Sequence, residues 1–199
     1  MLNLDCAVQW QDPPDCYPQN LKQRGQLIIQ QFAKYENVLG FSAGNEVALS
    51  AVSYIGNLPC QKKFLRDMRE WMHACVETDG MRHIPVGVVF ADHERGFKAP
   101  YYNCRSDPND EFENAEFIGI NSYLHCDGTA TDIDQLIGYK TLLAGFQTYG
   151  MTIPSLWTEF GCLSDSFSTI DGYEAQRNFL QADALFSDEY RELFNGTFL

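Results

Sequence analysis

Two glutamates, Glu46 and Glu159, are the residues of this chain best placed to do chemistry together. Each follows a short apolar run, VLGFSAGN before Glu46 and IPSLWT before Glu159. A carboxylate in that position is either solvated at the end of a strand or part of a site. Taken alone, each reads as solvated; two on different strands of one sheet would converge. Paired carboxyls cleave a glycosidic bond, one protonating the leaving oxygen while the other attacks the anomeric carbon or activates water. The retaining form of the reaction places them about 5–5.5 Å apart. The negative charge of the nucleophile then helps keep the acid protonated while the donor binds. Asn45 fits the same scheme, because an amide beside the acid can hold a sugar 2-hydroxyl as positive charge develops on the ring. This chemistry requires no cofactor and no metal.

Positioning such residues is the task of the surrounding elements. Short apolar runs predict strands over residues 1–8, 38–47, 84–90, 117–124 and 153–161. Between them, helical spacing of apolar residues predicts helices over 19–34, 61–77, 133–149 and 172–186. The strands carry little polar alternation, as expected of a parallel sheet covered by helices. That rhythm suits a doubly wound sheet or a TIM barrel. Neither GxGxxG nor GxxxxGK[ST] occurs, which disfavours a doubly wound nucleotide binder. Asn45, Glu46, Asp92, His93, Tyr123 and Glu159 all fall at the C-terminal ends of strand candidates, the face on which TIM barrels keep their chemistry. The expected architecture is an α/β fold of the TIM (β/α)8 type, with residues 1–199 forming part of one catalytic barrel.

Composition narrows the partners. The 199 residues carry 27 Asp and Glu against 14 Lys and Arg, a net charge of −13. No basic stripe is present to bind a phosphate backbone, so nucleic acid is not the expected partner. No run of about 18 apolar residues predicts a membrane span, and the opening MLNLDCAVQW does not read as a signal peptide. His73, His83, His93 and His125 are scattered without HExxH spacing, which disfavours a zinc hydrolase. The cysteines number seven, an odd count: Cys6, Cys16, Cys60, Cys75, Cys104, Cys126 and Cys162. No CxxC pair suggests a zinc ribbon or redox motif. Cys75 lies on the apolar face of its helix and reads as a buried free thiol.

Five segments together resemble a known family. FAKYENVLGFSAGNEV (32–47), RHIPVGVVFAD (82–92), YYNC (101–104), EFIGINSYLHC (116–126) and IPSLWTEFGC (153–162) are similar to the fungal β-1,3-glucanosyltransferases of glycoside hydrolase family 72. The resemblance covers nearly the whole chain. It implies a retaining enzyme that cuts and re-ligates β-1,3-glucan in cell-wall remodelling, at the cell surface and usually attached to the membrane through a GPI anchor. It implies Glu46 as acid/base, Asn45 as its sugar-contacting neighbour and Glu159 as nucleophile. Tyr123 resembles the tyrosine near the nucleophile, and Asp92 is a further substrate-contact candidate. Tyr101 and Tyr102 read either as sugar-stacking surface or as packing. The resemblance also implies a Cys126–Cys162 disulfide beside the nucleophile, and a partner for Cys104 beyond Leu199. Cys6 and Cys16 match nothing in the family and are candidates to pair with each other.

The chain departs from the family in extent and in detail. A complete barrel takes about 250 residues, and the aligned segments correspond to strands three to eight, with NGTFL (195–199) opening the last. The expectation is therefore a piece of a longer enzyme. Ser42, Leu49, Leu124, His125, Trp157, Thr158 and Phe160 mark a divergent member. Hydrolysis by a β-glucan endo-hydrolase of the same clan, and a catalytically inactive carbohydrate-binding remnant, are the alternatives. Asn195-Gly196-Thr197 is an N-glycosylation sequon.

Overall fold

A computed structural model describes residues 2–3, 16–49, 51–123, 135–163, 177–179 and 181–197. Six strands form one parallel sheet: β1 (Leu2–Asn3), β2 (Phe41–Asn45), β3 (Val86–Ala91), β4 (Ile118–Asn121), β5 (Ser155–Glu159) and β8 (Gly196–Thr197). They lie side by side in chain order. A doubly wound sheet reverses its order at a switch point; this one never does. With right-handed crossovers, a sheet that only advances keeps its helices on one face. The result is the wall of a (β/α) barrel.

The two faces of the wall differ in kind. Phe41 and Ala43 of β2, Val86, Val88 and Phe90 of β3, Ile118 and Ile120 of β4 and Trp157 of β5 join one buried cluster with the helices. The opposite face carries Ser42, Gly87, Gly119 and Asn121 beside Val89 and Leu156. A Cβ on Gly87 would lie 2.3 Å from the Phe117 carbonyl oxygen and 2.6 Å from its ring, so only glycine lets Phe117 cross β3 there. Gly119 meets Thr158 and Val89 on that same side.

The helices follow the apolar spacing of the sequence, with three differences. Helix α1 (Gln19–Phe32) buries Leu21, Gly25 and Ile29 at intervals of four, close to the predicted 19–34. Helix α2 (Ala51–Asp79) begins ten residues before the predicted start of 61 and accommodates Pro59 inside it. Helix α3 (Arg95–Asn103) is not foreseen at all, because Pro100 interrupts it and only Lys98, Ala99 and Tyr102 are buried. Helix α4 (Ile137–Thr148) matches its prediction. The helix expected over 172–186 is corrected: Arg177–Asn178 forms strand β7, antiparallel to β6 (Cys162–Leu163). Helical turns follow only as α5 (Ala182–Leu185) and α6 (Asp188–Arg191). Among the described residues, no helix is long and apolar enough to cross a membrane.

One disulfide joins Cys16 to Cys60, with Cα atoms 4.8 Å apart. This overturns the pairing of Cys16 with Cys6. It staples the segment entering α1 onto α2, where Tyr17 also donates to Asp67 and Lys22 and Lys63 lie 3.3 and 3.1 Å from that carboxylate. Burial pushes the Asp67 carboxyl up, but the Tyr17 and Lys63 hydrogen bonds and the two ammonium charges outweigh it and hold the group below its usual range. The bridge closes a span of 44 residues. Replacing Cys60 by Ser is expected to cost about 2–5 kcal/mol. Non-reducing urea unfolding measures this, with the native protein falling to the variant's midpoint once reductant is added. A native midpoint indifferent to reductant would refute it.

Candidate active site

The site is built where strand alternation is interrupted. In β2, Phe41 pairs with Val86 and Ser42 with Gly87, but Asn45, three residues on, pairs with Val89, only two on. One extra residue has entered β2. Strict alternation would turn Asn45 toward the helices with Phe41 and Ala43; the extra residue turns it inward instead. Gly44 makes this possible at φ 147°, and Glu46 follows in the left-handed region at φ 56°. Its amide N–H donates to the Val89 carbonyl at 3.1 Å. Beyond it, Asn57 donates to the Val47 carbonyl at 2.6 Å and Lys98 to the Ala48 carbonyl at 2.9 Å. The turn carrying Glu46 is thus held from α2 and α3.

Strand β5 repeats the device. Ile120 pairs with Trp157 but Asn121 with Glu159, leaving Thr158 as the extra residue. Trp157 faces the helices, where it stacks on Tyr139 at 5.4 Å, and Glu159 is turned to the inner face with Asn121. The Tyr123 hydroxyl donates to Glu159 Oε2 at 2.6 Å. The Ser122 amide donates to the Glu159 carbonyl at 3.0 Å, so β4 and β5 end together. Strands β2 and β5 lie three positions apart, roughly 14 Å along a flat sheet at the usual strand spacing. Only a curled wall with inward side chains can bring their carboxyls to one substrate.

Asn121 spans that gap and was not singled out from sequence. Its side chain is buried on β4, and its Nδ2 donates to Asn45 Oδ1 at 3.0 Å and to Glu46 Oε1 at 2.8 Å. Its Oδ1 accepts from Thr158 Oγ1 at 2.7 Å. The only trace in the sequence is a polar residue ending an apolar run, two before Tyr123. Lys98 was also missed. It is 1% exposed, and burial pulls its ammonium below the usual range against the opposing pull of Glu46, Glu94 and Asp92.

The other candidates fall elsewhere. Asp92 is buried, with one oxygen paired to Arg95 and the other accepting from Ser122 Oγ at 2.7 Å. Both oxygens are engaged within the protein, which suits a group that braces the strand ends better than one that contacts sugar. Tyr102 is fully buried and donates to Gln61, and Tyr101 packs under the Lys62 ammonium at 4.6 Å. Packing is therefore the reading the structure supports for that pair. Cys104 is exposed and unpaired, and Cys75 is half-buried and unpaired. The Cys126–Cys162 pairing lies outside the described residues. Among those residues, no group of three or more His, Cys, Asp or Glu side chains could hold a metal ion.

These features define a (β/α)-barrel wall that carries Glu46 and Glu159 at the C-terminal ends of two of its strands. The chain belongs to the glucanosyltransferase family, glycoside hydrolase family 72, whose profile matches residues 2–199. It is 30% identical over 192 residues to the 1,3-beta-glucanosyltransferase GAS5 of Saccharomyces cerevisiae, a match covering 96% of this chain and 35% of the relative. It is 34% identical over 170 residues to the 1,3-beta-glucanosyltransferase gas5 of Schizosaccharomyces pombe, covering 84% of this chain and 30% of that protein. Among solved structures, that of Saccharomyces cerevisiae Gas2p in complex with laminaritriose and laminaritetraose superposes with a TM-score of 0.75 at 25% identity. That match covers 98% of this chain and 40% of Gas2p. The chain spans about a third of the length of the curated relatives it matches.

Proposed function

We propose that the protein is a retaining β-1,3-glucanosyltransferase. Glu159 attacks the anomeric carbon of a β-1,3-glucan donor while Glu46 protonates the departing glycosidic oxygen, leaving a glycosyl ester on Glu159. Glu46, now a carboxylate, takes the proton from an acceptor sugar hydroxyl, which attacks the anomeric carbon and releases Glu159. Two inversions give net retention. Tyr123 holds Glu159 Oε2, which leaves Oε1 to attack. Asn45 turns its carbonyl to Asn121, which leaves its N–H donors for the sugar 2-hydroxyl.

The observation that carries this reading is the inward turn of Asn45 and Glu159 by an extra residue in each strand. Family membership supports the substrate and the preference for transfer over hydrolysis. The Cys16–Cys60 disulfide supports an oxidising compartment, and we place the enzyme outside the plasma membrane, held there by a GPI anchor. Incubating the full-length protein with reduced laminarioligosaccharides and following product lengths tests the proposal. Products longer than the donor are expected; products that are only shorter would overturn transfer in favour of hydrolysis.

A further inference from the structure

We infer that Asn121 is the positioning residue that sets the proton-bearing oxygen of Glu46 and ties it to the strand of the nucleophile. The inference rests on the proposed retaining reaction. An amide NH2 has two hydrogens, and both are committed: one to Asn45 Oδ1 at 3.0 Å, one to Glu46 Oε1 at 2.8 Å. The amide oxygen accepts from Thr158 at 2.7 Å, and a flip would lose both N–H bonds, to Asn45 and to Glu46. A carboxylic acid has one carbonyl oxygen and one hydroxyl. An N–H donor facing Oε1 fixes that oxygen as the carbonyl, and the proton must then sit on Oε2. Glu46 therefore presents its proton on Oε2, the oxygen not held by Asn121.

The same amide makes the acid's position depend on β5. Thr158 is the extra residue immediately before Glu159. A shift of that strand reaches Glu46 through the two hydrogen bonds of one β4 side chain as well as through the ladder of β3 and β4. Asn121 itself is 3% exposed, while the bonds it makes to Asn45, Glu46 and Thr158 are part-buried at the strand ends.

The test compares donors in the full-length protein. With a laminarioligosaccharide, whose leaving group must be protonated, Asn121→Ala should lose roughly 10²-fold in kcat, the scale of a misplaced catalytic group. With a laminaribiosyl donor bearing a dinitrophenolate leaving group, which departs without a proton, formation of the glycosyl-enzyme should change less than about threefold. Equal losses on both donors would overturn the inference. Asn121→Asp keeps the shape but replaces the donor with a carboxylate, and should lose kcat on the laminarioligosaccharide as Asn121→Ala does. The Asn121 side-chain NH2, followed by nitrogen-15 NMR, should shift when Glu46→Ala removes its acceptor. Native kcat in Asn121→Asp, or an unmoved NH2 signal, would also overturn it. Should the native protein turn over neither donor, the proposed reaction fails, while the NMR signal still decides the role of Asn121.

Discussion

Replacing Glu159 by Gln is expected to abolish transfer, with kcat on laminarioligosaccharides falling by roughly 10⁴-fold or more, as for removal of one member of a catalytic unit. The amide is nearly the same size, and Tyr123 can still donate to its carbonyl oxygen, so the fold should be untouched. What is lost is the carboxylate proposed to form the glycosyl ester. A 2-deoxy-2-fluoro glucosyl donor should label the native protein at Glu159, detected by mass spectrometry, and leave the variant unlabelled. The 2-fluoro group slows both steps by opposing positive charge on the ring, so the ester accumulates. Labelling that persists in Glu159→Gln would sink the assignment. Labelling at Glu46 would reverse the two roles.

The largest expected effect on stability comes from Trp157. It is 1% exposed and lies within a nest of rings, 5.4 Å from Tyr139, 6.2 Å from Tyr190 and 5.9 Å from Phe194. Replacing it by Ala leaves a cavity that these rings, anchored on α4, α6 and the segment before β8, cannot all close. The cost should be about 3–5 kcal/mol, against a total of about 5–15 kcal/mol for a typical domain. For a chain of this size that lowers the melting temperature by about 10 °C. Among the described residues the indole N–H has no acceptor. Trp157→Phe thus sacrifices volume and no hydrogen bond, and should recover most of the loss. Urea unfolding of both variants measures this; a loss under about 1 kcal/mol for Trp157→Ala would show that the rings collapse into the gap.

Much of the fold was legible because β2, β3 and β4 are buried on both faces over most of their length and read as plain apolar runs. Helix α1 was read from Leu21, Leu27, Ile28 and Phe32, of which Leu27 and Phe32 are exposed while Leu21, Gly25 and Ile29 form the buried stripe; α4 was read from its apolar spacing. Helix α3 did not, because Pro100 and a mostly solvated surface hide nine residues that dock through Lys98, Ala99 and Tyr102. The segment around Arg177 failed the other way: its composition suits a helix, yet a hairpin partner at Cys162–Leu163 draws it into a strand.

In the site, the chemical type of Glu46, Glu159, Asn45 and Tyr123 and their place after apolar runs were enough to single them out. Asn121, Thr158 and Lys98 were not, since their importance comes from neighbours distant in sequence. A lysine on a helix ordinarily reads as solvated; only tertiary structure puts it under the Glu46 turn. The Cys16–Cys60 bridge was equally hidden, because spacing alone cannot choose among seven cysteines.

The doubled interruption of the sheet carries a consequence for how this site can be lost. Hydrophobicity records which residues are buried, but in a wall buried on both faces it does not record phase. Were the ladder of β5 to run on regularly, with Thr158 opposite Asn121, Glu159 would fall on the face of Trp157, among the rings of the helix layer. A regular ladder in β2, with Gly44 opposite Val89, would turn Asn45 the same way. The proposed reaction thus depends on strand register as well as on residue type, and a strand can keep every proposed catalytic side chain yet lose the site to a slip of one residue.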